Sequence, residues 1–488
     1  MTTTVNLRKL LHRKAWEMCT PAIASPIAGA FLTGDSGGAM PANDCVYFVN
    51  SGSAIYNYNA DQDAWLQLPA SGITGTFGAG ACGEFTPLGA PGGSTQNTAT
   101  AGSTTTLTTN RTLVRDIRGS KLRVVAGTGV GYDGAVASNT VGANSIITVT
   151  PASGVAFDAT SVFQVWSGSL WFFNAGAGMV GLGVYDRATN AWTAKSVAGL
   201  PTTWATCGQL VSTGSIEGAF ETGISSGSNT STTLNKASAA WAVNAYTNAQ
   251  LRITGGTGAG QVRTVASNTA TALTVSAVWT VTPDATSTFA IEGNDDNLYL
   301  LGNNAITAYK YSISGNSWAT LAPGAARGTT MGAGGTADWI NGVTDADWSG
   351  AQGKVLTGTH VKQNGRFIYS FAGASNSSFH VYDIAANTWY GYAGAAYGNG
   401  YETFTTGSCS VDLKDHIYHQ KEATGRLYRF DVNKHALEPW NANPYPQSTT
   451  VEGDKMLVIP YKDGATVIPY LYTQQHSRAE LLRMMAIG

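Results

Sequence analysis

Charge is scarce in this 488-residue chain: Asp, Glu, Lys and Arg make up 12% of it, and the formal net charge is −2. Without a basic excess there is no electrostatic footprint for a phosphate backbone or an anionic membrane surface, so neither nucleic acid nor membrane is expected as a partner. No apolar run reaches the roughly 18 residues of a spanning helix. The basic start (Arg8, Lys9, Arg13, Lys14) is followed by an apolar-leaning stretch, but Ser25 and Pro26 interrupt it, which speaks against a signal peptide. The five cysteines (Cys19, Cys45, Cys82, Cys207, Cys409) are odd in number and contain no close pair, so no disulfide framework is expected.

What is abundant points to β-structure. Gly contributes 59 residues, and Ser, Thr, Asn and Ala fill much of the rest, which is turn-rich composition. The 13 Trp, 21 Tyr and 15 Phe supply the apolar bulk that a disordered chain lacks.

The strongest signal is an internal repeat. Four units end at Trp65, Trp192, Trp318 and Trp389, and in each a tyrosine stands seven positions earlier: Tyr58, Tyr185, Tyr311 and Tyr382. Two residues before each Trp comes a turn former, Asp63, Asn190, Asn316 or Asn387. A decayed fifth copy puts Phe430 seven positions before Leu437, and KMLVIPYKDGATVIPYLY reads as a degenerate sixth, two strands joined at Asp463 and Gly464. Each unit reads as an apolar strand, a turn, an alternating strand and a turn into a third strand opened by the Trp. Such a small sheet has two apolar faces to bury, so copies must stack, and closure into a ring removes exposed edges. The eight aromatic residues in this register are expected in the blade cores. Cys82, Cys207 and Cys409 follow a repeat Trp by 17, 15 and 20 residues and are expected as small buried residues on one strand of each blade.

Val-Tyr-Asp, a five-residue gap and Trp, complete at Trp192 and Trp389, resembles the second half of the Kelch repeat, a β-propeller blade. The Gly-Gly pair of that family is represented only by Ala175-Gly176 and Ala372-Gly373. The resemblance implies a β-propeller, and the five repeats with the degenerate sixth make it an all-β ring of about six blades.

A second repeat lies inside the first. KLRVVAGTGVGYDGAVASNT and QLRITGGTGAGQVRTVASNT align with Leu122 and Leu251, and Ser138 and Ser267, each 129 residues apart. Thr/Val alternation and Gly-rich turns make each copy a small β-barrel or sandwich, inserted at equivalent blade connections. The expected organisation is an N-terminal helical anchor at 1–26, propeller at 27–94, a first β-module at 95–165, propeller at 166–221, a second module at 222–291, propeller at 292–474 and a C-terminal helix at 475–488. The modules, the second of which carries Gly-Thr-Gly-Ala-Gly, Ala-Ser-Asn-Thr and Pro-Asp-Ala-Thr-Ser in full, resemble segments of structural proteins of tailed bacteriophages. That implies localisation in the virion, in the neck, tail or capsid surface, with other virion proteins as partners and a homo-oligomeric state.

Residues that invite chemistry have plainer readings. Gly255 to Gly260 lack the following helix or Lys of a phosphate loop and read as a hairpin turn. His416 and His419 would point to opposite faces of a strand, and His12, His360, His380, His435 and His476 have no partner spacing. Asp295, Asp296, Asp345 and Asp347 could form a glycosidase pair but read first as turn formers. No catalytic, cofactor or metal residue is expected, and the chain is not read as an enzyme. The off-register Trp204, Trp241, Trp279, Trp339 and Trp348 are candidates for contact surface. Leu7, Leu10, Leu11 and Met18 form a stripe at helical spacing. At the far end Ser477 and Glu480 form a capping box before Leu481, Leu482, Met484 and Met485. Both ends are therefore expected as helices that supply assembly contacts. A second reading is a receptor- or carbohydrate-binding tail protein that meets host surface glycan, and a third a propeller glycosidase.

Overall fold

A computed structural model describes residues 16–19, 31–34, 46–49, 55–60, 62–68, most of 77–86, 96–344 with short breaks, 361–392, 408–442, 455–474 and 481–485, again with short breaks at connections. The described residues form strands, turns and loops, organised as a six-bladed β-propeller with two inserted modules.

Each blade is a four-stranded antiparallel meander. Blade 1 consists of Phe31–Gly34, Val46–Val49, Ile55–Asn59 and Ala64–Leu68. Blade 2 consists of Cys82–Thr86, Ser169–Gly176, Met179–Asp186 and Ala191–Lys195, and blade 3 of Gly208–Ser212, Asn297–Gly302, Tyr309–Ser312 and Ser317–Thr320. Blade 4 is Thr336–Thr344, Val361–Gly373, Asn376–Asp383 and Thr388–Tyr392; blade 5 is Cys409–Leu413, His416–Gln420, Arg426–Asp431 and Ala436–Ala442. Blade 6 takes Lys455–Asp463, Thr466–Gln474 and Leu481–Met485, and its outer strand is Trp16–Met18 from the other end of the chain. The first strand of each blade touches the first strands of the blades on either side, so the six close into a ring.

The seven-residue spacing has a simple cause. Tyr and Trp are directly opposite each other on the third and fourth strands of a blade: Tyr58 with Trp65, Tyr185 with Trp192, Tyr311 with Trp318, Tyr382 with Trp389. Phe430 and Leu437 hold the same positions in blade 5. The ring centroids lie 4.7 to 5.1 Å apart and tilted, an arrangement worth about 0.5–1.5 kcal/mol beyond its buried area. All four tyrosines are buried; Trp318 and Trp389 are buried and Trp65 and Trp192 partly so. In blades 1, 3 and 4 the tyrosine hydroxyl donates at 2.7 Å to the side-chain oxygen of Asp63, Asn316 or Asn387. Those turn residues stand at φ of 48, 45 and 48°, a left-handed conformation that Asp and Asn tolerate. One tyrosine thus ties its own turn to the blade interior.

The chain ends differ from the sequence reading. Leu481–Met485 is a strand between Thr466–Gln474 and Trp16–Met18, not a helix. Leu481, Leu482 and Met484 are buried in blade 6, so they are core instead of assembly contacts, and the Met485 backbone continues the strand. An open sheet edge offers a row of backbone partners, and that outweighs the local capping signal. Met18 lies on the outer strand with its side chain exposed, while Cys19 is buried and its N–H donates to the Leu481 carbonyl. Leu7, Leu10 and Leu11 lie outside the described residues.

Candidate interaction surface

Both modules enter between the first and second strands of their blade, the first from blade 2 and the second from blade 3. The first is a closed six-stranded barrel running from Gln96–Gly102 to Val162–Trp166. The second, from Glu221–Ile224 to Thr288–Glu292, has the same strand order as a six-stranded sheet, without the pairing between its first two strands that closes the first. Each has its own core, built around Leu107, Leu122, Ile147 and Phe163 in one and Leu234, Leu251, Leu273 and Phe289 in the other. Arg111 of the first module reaches back to Asp186 of blade 2 at 3.0 Å.

The motif shared by the modules is structural. The Gly-rich segments are hairpin turns, with positive φ at Gly127, Gly129 and Gly131 and at Gly256, Gly258 and Gly260. Each turn is pinned by the aspartate of the later motif. Asp158 accepts hydrogen bonds from Thr128 and from the backbone and hydroxyl of Thr160, and Asp284 does the same with Thr257 and Thr286. These hydrogen bonds hold both carboxyls below the usual range.

The two modules pack against each other reciprocally. A Cβ on Gly131 would sit 2.6 Å from the Thr254 carbonyl oxygen, and one on Gly260 2.6 Å from that of Val125. Gly131 and Gly260, like Val125 and Thr254, are 129 residues apart, so each copy presents one surface to the same surface of the other, an internal two-fold arrangement. Four charges cross this contact. Glu292 accepts two hydrogen bonds from Arg123 at 2.9 and 2.6 Å and two from Arg252 at 2.9 and 3.4 Å. Asp133 meets Arg252 at 2.8 Å and Arg123 at 3.3 Å. Burial opposes ionisation of Glu292, but the hydrogen bonds and charges of Arg252 and Arg123 outweigh it and hold the carboxyl below its ordinary range. Arg123 and Arg252 occupy the same position of the two copies, directly after Leu122 and Leu251. In so charge-poor a chain, that coincidence was the available signal for this contact.

The exposed large aliphatic residues concentrate on the modules: Val130, Val141, Ile146 and Val155 on the first, Ile224, Val243, Val262, Val278 and Val281 on the second. Of the five tryptophans read as contact surface, the three whose side chains are described are buried. Trp204 is wedged between blades 2 and 3, edge-on to Phe173 at 5.0 Å, with its indole N–H donating to the Cys207 carbonyl. Trp241 and Trp279 are buried in the second module, Trp241 donating to Glu221 at 2.5 Å and Trp279 lying under Arg263. The side chains of Trp339 and Trp348 lie outside the described residues, as do Asp295, Asp296, Asp345 and Asp347. His416 lies 3.8 Å from Asp431, whereas His419 is wholly buried against Phe371, and no group of three or more His, Cys, Asp or Glu residues able to hold a metal occurs among the described residues. Cys82, Cys207 and Cys409 are buried on or beside the first strands of blades 2, 3 and 5. Among the described residues no helix is long and apolar enough to cross a membrane.

No family model matches the sequence, and no curated protein matches it. Among solved structures, the chain is similar to the WD40 domain of Toxoplasma gondii coronin, at 7% identity and a TM-score of 0.35, with 96% of this chain and 85% of that one covered. It is also similar to the phage phi92 endosialidase, at 9% identity and a TM-score of 0.29, covering 97% and 69%. A third similarity is to TolB from Acinetobacter baumannii, at 9% identity and a TM-score of 0.23, covering 91% and 77%. At these TM-scores the likenesses carry no argument, and the β-propeller assignment stands on the closed ring of six four-stranded blades.

Proposed function

We propose that this chain is a structural component of a tailed-phage virion, a non-catalytic Kelch-like propeller that acts through protein–protein contacts made by its paired modules. The observation that carries the reading is the module pair. Two copies of one fold are locked face to face by a buried charge cluster and present aliphatic side chains to solvent. A rigid body of this kind suits permanent docking on a neighbouring subunit better than turnover of a substrate. The resemblance of the modules to segments of phage structural proteins supports the virion as the setting, with a homo-oligomeric ring as the assembly.

Mass spectrometry of purified virions, with imaging of the labelled protein, tests it. Stoichiometric presence in particles supports the reading, and absence from them refutes it. The carbohydrate-binding reading loses its described aromatic platform, because Trp204, Trp241 and Trp279 are buried. Glycan-array binding by the purified protein would restore it. Cleavage of a host polysaccharide, abolished by Asp296→Asn or Asp345→Asn, would establish the glycosidase reading instead.

A further inference from the structure

One buried charge is unlike the rest. Arg327 lies in the connection from blade 3 to blade 4, with a relative exposure of 3%. The connection is fixed on both sides: the Trp389 N–H donates to the Ala325 carbonyl, the Ala325 N–H to the Thr388 hydroxyl, and the Met331 N–H to the Ala305 carbonyl. The guanidinium is therefore held in place. It lies over the Trp389 ring at 5.6 Å, and Nη2 donates to the Ser370 hydroxyl at 3.0 Å. Among the described residues its Nε has no acceptor, and no carboxylate pairs with it.

The surroundings are those of an anion site. Among the described residues the Ser370 hydroxyl donates only to the Met331 thioether at 3.7 Å, a weak acceptor that a stronger one would displace. His380, opposite Ser370 across Val361–Gly373 and Asn376–Asp383, is buried, and its Nδ1 has no hydrogen-bond partner among the described residues. Burial, then the nearby Arg327 charge, lower the His380 pKa to about 3, so near neutral pH the cluster carries a single positive charge. A guanidinium buried without a counter-charge is strongly unfavourable, and buried charges are ordinarily paired. One positive charge set against Trp389 and Met331 fits one negative charge that sheds its water readily, not a multiply charged and strongly hydrated phosphate.

We propose that Arg327, Ser370 and His380 form a binding site for a small monovalent anion of the halide type, set between blades 3 and 4. The anion completes the charge balance of that blade contact.

Thermal unfolding of the full chain, with bromide replacing gluconate at constant ionic strength, tests the site. The wild-type midpoint should climb with the logarithm of bromide once Kd is passed, by about 2–3 °C at a hundredfold excess over Kd. Arg327→Met, which keeps the packing on Trp389, and Ser370→Ala should both remain folded by circular dichroism; the first should lose the rise and the second should need several times more bromide. Crystals soaked in bromide should show an anomalous peak within about 3.5 Å of the Arg327 guanidinium. An equal bromide response in Arg327→Met, no peak at that place in a folded crystal, or a carboxylate of the chain itself found there would each overturn the proposal.

Discussion

Replacing Glu292 by Gln should separate the two modules while leaving the propeller closed. The carboxylate is the shared acceptor of two arginines, taking four hydrogen bonds between 2.6 and 3.4 Å, and it is buried with Arg123 and Arg252. With Asp133 the cluster holds two positive and two negative charges, so Glu292→Gln leaves one positive charge uncompensated in a dry contact. Breaking a buried ion pair in this way costs about 3–5 kcal/mol. The Gly131 N–H donates to the Val124 carbonyl and the Gly260 N–H to that of Ile253, and at both glycines the backbone of the opposite module lies close by. Hydrogen exchange at the Gly131 and Gly260 amides should therefore quicken by roughly a hundred- to a few-thousand-fold, with little change in the blade strands. Changing all four together, Arg123→Met, Asp133→Leu, Arg252→Leu and Glu292→Met, should recover most of that loss, since apolar replacements leave the contact without a charge to bury. Exchange at both turns within threefold of wild type in Glu292→Gln would refute the reasoning.

Three further outcomes follow from the geometry. Gly302→Ala should destabilise by at least about 2 kcal/mol, because φ is 129° and the new Cβ would fall 1.7 Å from the Cys207 carbonyl oxygen; a denaturant midpoint equal to wild type would contradict this. His380 and His419, both buried, have pKa values lowered from 6.5 to about 3, His419 by burial and His380 by burial and then Arg327. The folded state disfavours their protonation, so the stability they contribute is complete above pH 6.5 and is lost as pH falls toward 3, at up to about 1.4 kcal/mol per pH unit for each. Denaturant titrations at pH 7, 6 and 5 should show that decline before the Glu292 cluster begins to fail below about pH 4.5, and a flat profile would exclude it. Leu481→Asp should open blade 6 by putting a charge where the wild-type side chain is fully buried, seen as rapid proteolysis near both chain ends; wild-type resistance would refute the closure described.

The propeller was legible because its signature is local. A Tyr and a Trp that face each other across a tight hairpin are fixed a few residues apart, so geometry is written directly into spacing at Tyr58 and Trp65 and at Tyr382 and Trp389. The modules were legible for the same reason, as two copies in register. What escaped was set by distant contacts. The apolar run Leu481–Met485 carries a helix-like capping signal, and only the edges of Thr466–Gln474 and Trp16–Met18 make it a strand. Trp204, Trp241 and Trp279 lack a repeat register, yet Trp204 packs between blades 2 and 3 and the other two in the core of the second module. The Arg123 to Glu292 pair joins residues of different modules, and no window of sequence contains both.

Trp16–Met18 pairs with Leu481–Met485, so two of the most widely separated segments of the chain must meet before the ring can shut. During synthesis the five earlier blades can form in turn as the ribosome delivers them, while the early segment waits for its partner. Until that late meeting the nascent molecule is an open arc with a bare strand edge, which is the interval in which another copy could dock in place of the rightful terminus. Chaperone dependence, and any tendency of this protein to exchange arms between molecules, should concentrate at that seam.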